Sequence, residues 1–137
     1  MKRCILVPTV LVLAVFVCAF ATPGHAARNV PIQSFGNANL SAYGKFSPAQ
    51  VGDAIIQGGA SIGWQMHKVS PGLISATVIE RSHKVTVDIR YSAHEYSINY
   101  RDSVNMRAED GTIHSSYVRW VQRLQRNIDA AIMRIRK

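Results

Sequence analysis

From Lys84 to Tyr91 the chain alternates without a slip. Val85, Val87, Ile89 and Tyr91 fall on one side, and Lys84, Thr86, Asp88 and Arg90 on the other. Successive side chains of a strand point to opposite faces, so this is a half-buried strand with one wet side. Tyr96, Ile98 and Tyr100 repeat the pattern with Ser97, Asn99 and Arg101 opposite; Ile74, Ala76 and Val78 precede it with Ser75 and Thr77 outward. Three strands joined by short turns make an antiparallel meander.

Parity tests the turns. With Ser82-His83 as a two-residue turn, Val78 faces Val87, Ala76 faces Ile89 and Ile74 faces Tyr91. With Ser92 to Glu95 as a four-residue loop, Tyr91 faces Tyr96, Ile89 faces Ile98 and Val87 faces Tyr100. Both connections set apolar against apolar on one face, and a one-residue slip in either would move half the core into water.

The flanking segments supply what covers that face. Ser47-Pro48-Ala49-Gln50 is a helix start, with Ser47 as N-cap, Pro48 at the first helical position and Gln50 closing a capping box. Val51, Ala54, Ile55 and Ile62 form its apolar stripe. Gly52, Gly58 and Gly59 each weaken it by about 1 kcal/mol relative to Ala, so it leans on the sheet and ends near Gly59 to Gly63. Trp64 to Val69 is a further strand with Trp64 and Met66 inward, followed by a Ser70-Pro71-Gly72 turn. Asp102 to Thr112 is polar and places Asp110 near the start of the next helix, where negative charge suits the dipole. From Ile113 to Ile135, the residues Tyr117, Trp120, Val121, Leu124, Ile128, Ile132 and Ile135 recur at three- and four-residue steps as one stripe. The expected fold is α+β: a single small α-β-β-β-β-α domain, an antiparallel meander with both helices packed on one face.

Before the domain stand two other segments. Residues 1–26 have a basic start at Lys2 and Arg3, an apolar run and an exit through Gly24 and Ala26, which describes a secretory signal peptide. The run is about long enough to span a bilayer if left uncleaved, but Pro8 and the small-residue exit favour cleavage. Residues 27–46, rich in Asn, Ser, Gly and Ala, are expected to be a loose arm in which Val30-Pro31-Ile32 could add a short edge strand. The domain proper is 47–137. Both cysteines, Cys4 and Cys18, lie in the leader, so the remainder has no thiol for a disulfide or metal. The formal charge of the whole chain, +8, falls to +6 once Lys2 and Arg3 are removed, which favours anionic surfaces.

Gly63-Trp64, Ser70-Pro71-Gly72, Val87-Asp88-Ile89-Arg90-Tyr91, Tyr96-Ser97-Ile98-Asn99-Tyr100, Asp102-Ser103 with Asn105, and Ile113-His114 with Tyr117, Trp120-Val121 and Leu124 form a characteristic succession. It resembles a family of small, functionally uncharacterised exported proteins and lipoproteins of Gram-negative bacteria, over Ser47 to Ile135. The resemblance implies a fold and a periplasmic location and brings no activity, cofactor or catalytic residue. Many members look lipidated; here the bulky Phe16 and Val17 before Cys18 depart from a lipoprotein signal.

Four features bear on chemistry. Gly59-Ala60-Ser61-Ile62-Gly63 matches the G-x-S-x-G elbow in letters, but the elbow needs strand then helix and here the order is reversed. His67, His83, His94 and His114 show no ligand spacing; His83 and His94, at opposite ends of one strand, are on the order of 30 Å apart and are expected to be surface residues. Asp88, Arg90 and Arg101 could form a polar platform on the wet sheet face for a small ligand or substrate, against the ordinary account of a solvated face with cross-strand pairs. Arg119, Arg123, Arg126 and Arg134 lie off the apolar stripe of the last helix with Asp129 the only nearby acid, which points to an anionic envelope polymer or envelope protein as partner. No nucleic-acid motif appears. The leading expectation is a non-enzymatic envelope module without cofactor, binding through that basic helix face; the alternative is a ligand carrier or enzyme using the sheet face. A third possibility is a subunit that buries exposed Leu73 and Ile79 against another chain.

Overall fold

The alternating segments become the centre of a five-stranded antiparallel sheet in a computed structural model that describes residues 28–136. The leader lies outside the described residues. In chain order the elements are β1 (Asn29–Pro31), β2 (Phe35–Asn37), a 3-10 turn at Leu40–Ala42, α1 (Pro48–Ala60), β3 (Gln65–Ser70), β4 (Leu73–Glu80), β5 (His83–Tyr91), β6 (Tyr96–Val104), β7 (Thr112–His114) and α2 (Ser116–Arg134). The large sheet has the order β2-β6-β5-β4-β3, and β1 and β7 form a separate pair. The domain is α+β as expected, with both helices over the apolar sheet face. Val51, Ala54 and Ile55 of α1, Tyr117, Val121, Leu124, Ile128 and Ile132 of α2, and Ile74, Ala76, Val85, Val87, Ile89 and Ile98 of the sheet form one buried cluster.

Local chemistry starts α1 where the sequence puts it. The Gln50 amide N–H donates to Ser47 Oγ and the Ser47 N–H donates to Gln50 Oε1, a complete capping box ahead of Pro48. The β5–β6 register is also as read, with Tyr91 opposite Tyr96, Ile89 opposite Ile98 and Val87 opposite Tyr100.

The β4–β5 register differs. Val78 faces Val85, Ala76 faces Val87 and Ile74 faces Ile89, with the turn at Arg81-Ser82 rather than Ser82-His83. The shift is two residues, so every side chain keeps its face. Contacts from 22 and 23 residues away hold this turn: Asn105 Nδ2 donates to Ser82 O at 2.8 Å, and His83 Nδ1 donates to Asn105 O at 2.7 Å.

A bulge interrupts β5–β6. Val87 faces Tyr100 but Thr86 faces Asp102, leaving Arg101 unmatched. Continued alternation from Tyr96 would have turned Asp102 into the core. The extra residue flips it to the wet face, and sends Val104 there too, 47% exposed.

The loose arm is a correction. β1 pairs with β7, setting Val30 against the buried Ile113, and β2 pairs with β6, setting Phe35 against Ile98. Leu40 is fully buried, and its N–H donates to His94 O at 2.8 Å. Val30 does sit in a short strand as anticipated, though in the small sheet. Pairing of Thr112–His114 with β1 also delays the second helix to Ser116. Its first turn contains no acid, so Asp110 does not serve the dipole; the Ser116 N–H donates instead to His114 Nδ1 at 3.1 Å.

Candidate functional site

At 3.6 residues per turn, Arg119, Arg123, Arg126 and Arg134 fall within an arc of about 80° on α2, roughly opposite the arc of Tyr117, Val121, Leu124, Ile128 and Ile132. The structure agrees: those five apolar residues are fully buried and all four arginines are exposed. Arg119, Trp120, Gln122, Arg123 and Arg126 line a surface groove of about 380 Å3. Arg119 Nη2 donates to Ser116 Oγ at 2.8 Å, which anchors one end of the row by a neutral contact.

The acid that the sequence placed beside this row is otherwise engaged. Tyr96 Oη donates to Asp129 Oδ1 at 2.6 Å, drawing the carboxylate toward the sheet. The ion pairs among the described residues are Lys68–Asp53 at 3.6 Å and Arg101–Asp88 at 3.4 Å, and neither touches α2. The arginine row is therefore uncompensated positive charge. Gln125 Nε2, donating to Gly36 O at 2.8 Å, ties the same helix to β2 and fixes its rotation.

The sheet-face trio does not form one site. Asp88 and Arg101 meet, with the arginine left unmatched at the bulge lying 3.4 Å from the carboxylate. Arg90 stands apart, opposite Ser97 and Leu73, and lines a cleft of about 460 Å3 with β2 and the β5–β6 hairpin. Thr77 and Thr86 hydroxyls meet at 3.1 Å, an ordinary cross-strand contact. Of the apolar pair expected to be exposed, Ile79 is (56%) but Leu73 is half-buried.

Ser61 is the C-cap of α1, and its hydroxyl donates to Gly58 O at 2.8 Å. The histidines need a correction. His67 and His94 are exposed, but His83 and His114 are half-buried, with rings stacked at 6.3 Å and His83 also 6.5 Å from Trp120. The β4–β5 turn and the short β7 bring them together, a meeting that chain spacing could not show. Both Nδ1 atoms are used, one donating to Asn105 O and one accepting from Ser116 N–H. Among the described residues no group of three or more His, Cys, Asp or Glu could hold a metal ion.

Two core hydroxyls are held protonated. Burial first, then the hydrogen bond to Asp129, pushes the ionisation of Tyr96 far above the usual tyrosine range. Burial, aided by Tyr100, pushes Tyr117 up to about 12. A folded pKa above the unfolded one gives stability that is intact below about pH 10 and lost as pH rises beyond it. Denaturant midpoints should hold steady from neutrality to about pH 10 and fall between there and about pH 12. A level profile across that upper window would contradict the burial of both hydroxyls.

Comparison with known proteins found no matching family model, no matching curated protein and no matching solved structure.

Proposed function

We propose that this protein is a non-enzymatic binding module of the cell envelope that docks on anionic envelope polymer through the outer face of α2. The observation that carries this reading is the exposed row of Arg119, Arg123, Arg126 and Arg134, whose one sequence-adjacent acid is bonded to Tyr96 instead. A cationic surface without internal counter-charge attracts polyanions at long range, and the attraction is screened by salt. Export is supported by the leader-like residues 1–26, and a periplasmic location by the family resemblance of the sequence.

The mechanism is electrostatic docking by a rigid rod whose opposite face is locked in the core. Each arginine near an anionic surface contributes about 1 kcal/mol at moderate ionic strength, so replacing Arg119, Arg123 and Arg126 by Gln should weaken binding on the order of a hundredfold. Retention on immobilised heparin, as a surrogate polyanion, and flotation with phosphatidylglycerol vesicles would separate polymer from lipid as the target. The reading expects early elution of the triple variant and steep loss of wild-type retention with added salt. Salt-independent retention would overturn it.

A further inference from the structure

The cleft beside β2 holds two opposite charges that do not neutralise each other. Pairing places Gly36, Ser97 and Arg90 in one row across three strands, on the face away from the helices. Gly36 and Ser97 are too small to fill that row. A Cβ at Gly36 would collide with Tyr96 O and lie 2.9 Å from Ser97 Cα, so the backbone is pressed against β6 there. The hollow left over, about 460 Å3, is also bounded by Asn37, Ser92 and Glu95. That is the size range of small-molecule sites.

The polar groups in it face a ligand with spare capacity of known sign. Ser92 Oγ accepts the N–H groups of His94 at 3.1 Å and Glu95 at 3.3 Å, which uses its lone pairs and leaves its proton to donate. Ser97 Oγ accepts from Asn99 Nδ2 at 3.0 Å and likewise keeps a proton free. The Arg90 guanidinium has neither an ion pair nor a hydrogen-bond partner among the described residues, and Glu95 has no ion pair among them. One guanidinium and two hydroxyl protons make an anion subsite. The Glu95 carboxylate on the same cleft makes a cation subsite, and it repels a dianion more than a monoanion.

We propose that this cleft binds a small zwitterion of the amino-acid or short-peptide type, its carboxylate held by Arg90 with Ser92 and Ser97 and its ammonium by Glu95. The site is separate from the α2 surface and does not depend on it.

Amide chemical-shift titration of the purified protein with L-alanyl-L-alanine tests this, alongside the N-acetylated dipeptide, which lacks the ammonium, and the dipeptide amide, which lacks the carboxylate. Saturable shifts should centre on Gly36, Ser92, Glu95 and Ser97. Each half-probe should bind about tenfold or more weakly, as expected for loss of one charged hydrogen-bonding partner. Arg90→Gln should bind the dipeptide and its amide equally, and Glu95→Gln should bind the dipeptide and its acetylated form equally. Equal wild-type affinity for all three probes would overturn the proposal, as would shifts confined to the arginines of α2 or no saturable shift. The wild-type probe series decides the matter even if a variant fails to fold.

Discussion

Leu40→Ala is expected to cost about 2–5 kcal/mol of unfolding free energy, the penalty of a cavity in a packed core. By composition its surroundings look like a tail, where such a change would cost almost nothing. In the folded protein the side chain is fully buried, and its backbone is bonded to the β5–β6 hairpin through His94 O. The chain on its N-terminal side is clamped in turn, by β2 against β6 and by Gln125 of α2 against Gly36 O. Urea unfolding followed by tryptophan fluorescence would read the effect, since Trp64 is 4% exposed in the same core. A loss of only a few tenths of a kcal/mol would mean that residues 28–46 are not part of the cooperative unit.

Gly58→Ala should destabilise by about 1–3 kcal/mol, although the same change in an open helix interior stabilises by about 1 kcal/mol. The sign reverses because of what lies opposite. A Cβ at Gly58 would stand 2.8 Å from Asn127 O and 2.8 Å from Ile128 Cα, both backbone atoms of α2. Neither can rotate away, so the helices must separate and loosen the packing around Ile128. Gly59 is the contrast. Its added methyl meets Met66 Sδ and Cε, the far end of a flexible side chain. Gly59→Ala should therefore stay within about 1 kcal/mol of wild type, the helix gain offsetting the repacking of Met66. Equal effects at the two glycines would contradict the close α1–α2 approach.

The glycines show how far the sequence can be read. Their cost to the isolated helix is visible in the letters, but their purpose depends on a second helix some 70 residues later. The meander was legible because alternation constrains faces strongly. It was legible only to parity, since a shift of two residues at the β4–β5 turn leaves the hydrophobic pattern unchanged. The Arg101 bulge had a signal that was missed: unbroken alternation after Tyr100 would put Asp102 among core residues, which a bulge avoids. β1 and β2, three residues each, are too short to show a period of two.

The same division holds for the candidate sites. The arginine row follows from helical spacing alone, because α2 is long and strongly two-sided. Asp129 is near the row in sequence, but its hydrogen bond runs to Tyr96, 33 residues away, a partner that helical spacing does not show. Arg90 was grouped with Asp88 and Arg101 on strand parity, which identifies a face and not a position along it. The cleft that separates it from them is built partly by β2, within the segment that looked featureless.

The claim on which the functional account rests is positional: the outer face of α2, and not net charge, holds the polyanion. Heparin retention of Arg119→Gln/Arg123→Gln/Arg126→Gln should be compared with that of Lys45→Gln/Arg81→Gln/Lys84→Gln, three exposed cations elsewhere with the same total charge removed. The account predicts that the first variant elutes at much lower salt while the second stays close to wild type. Equal losses in the two would contradict it.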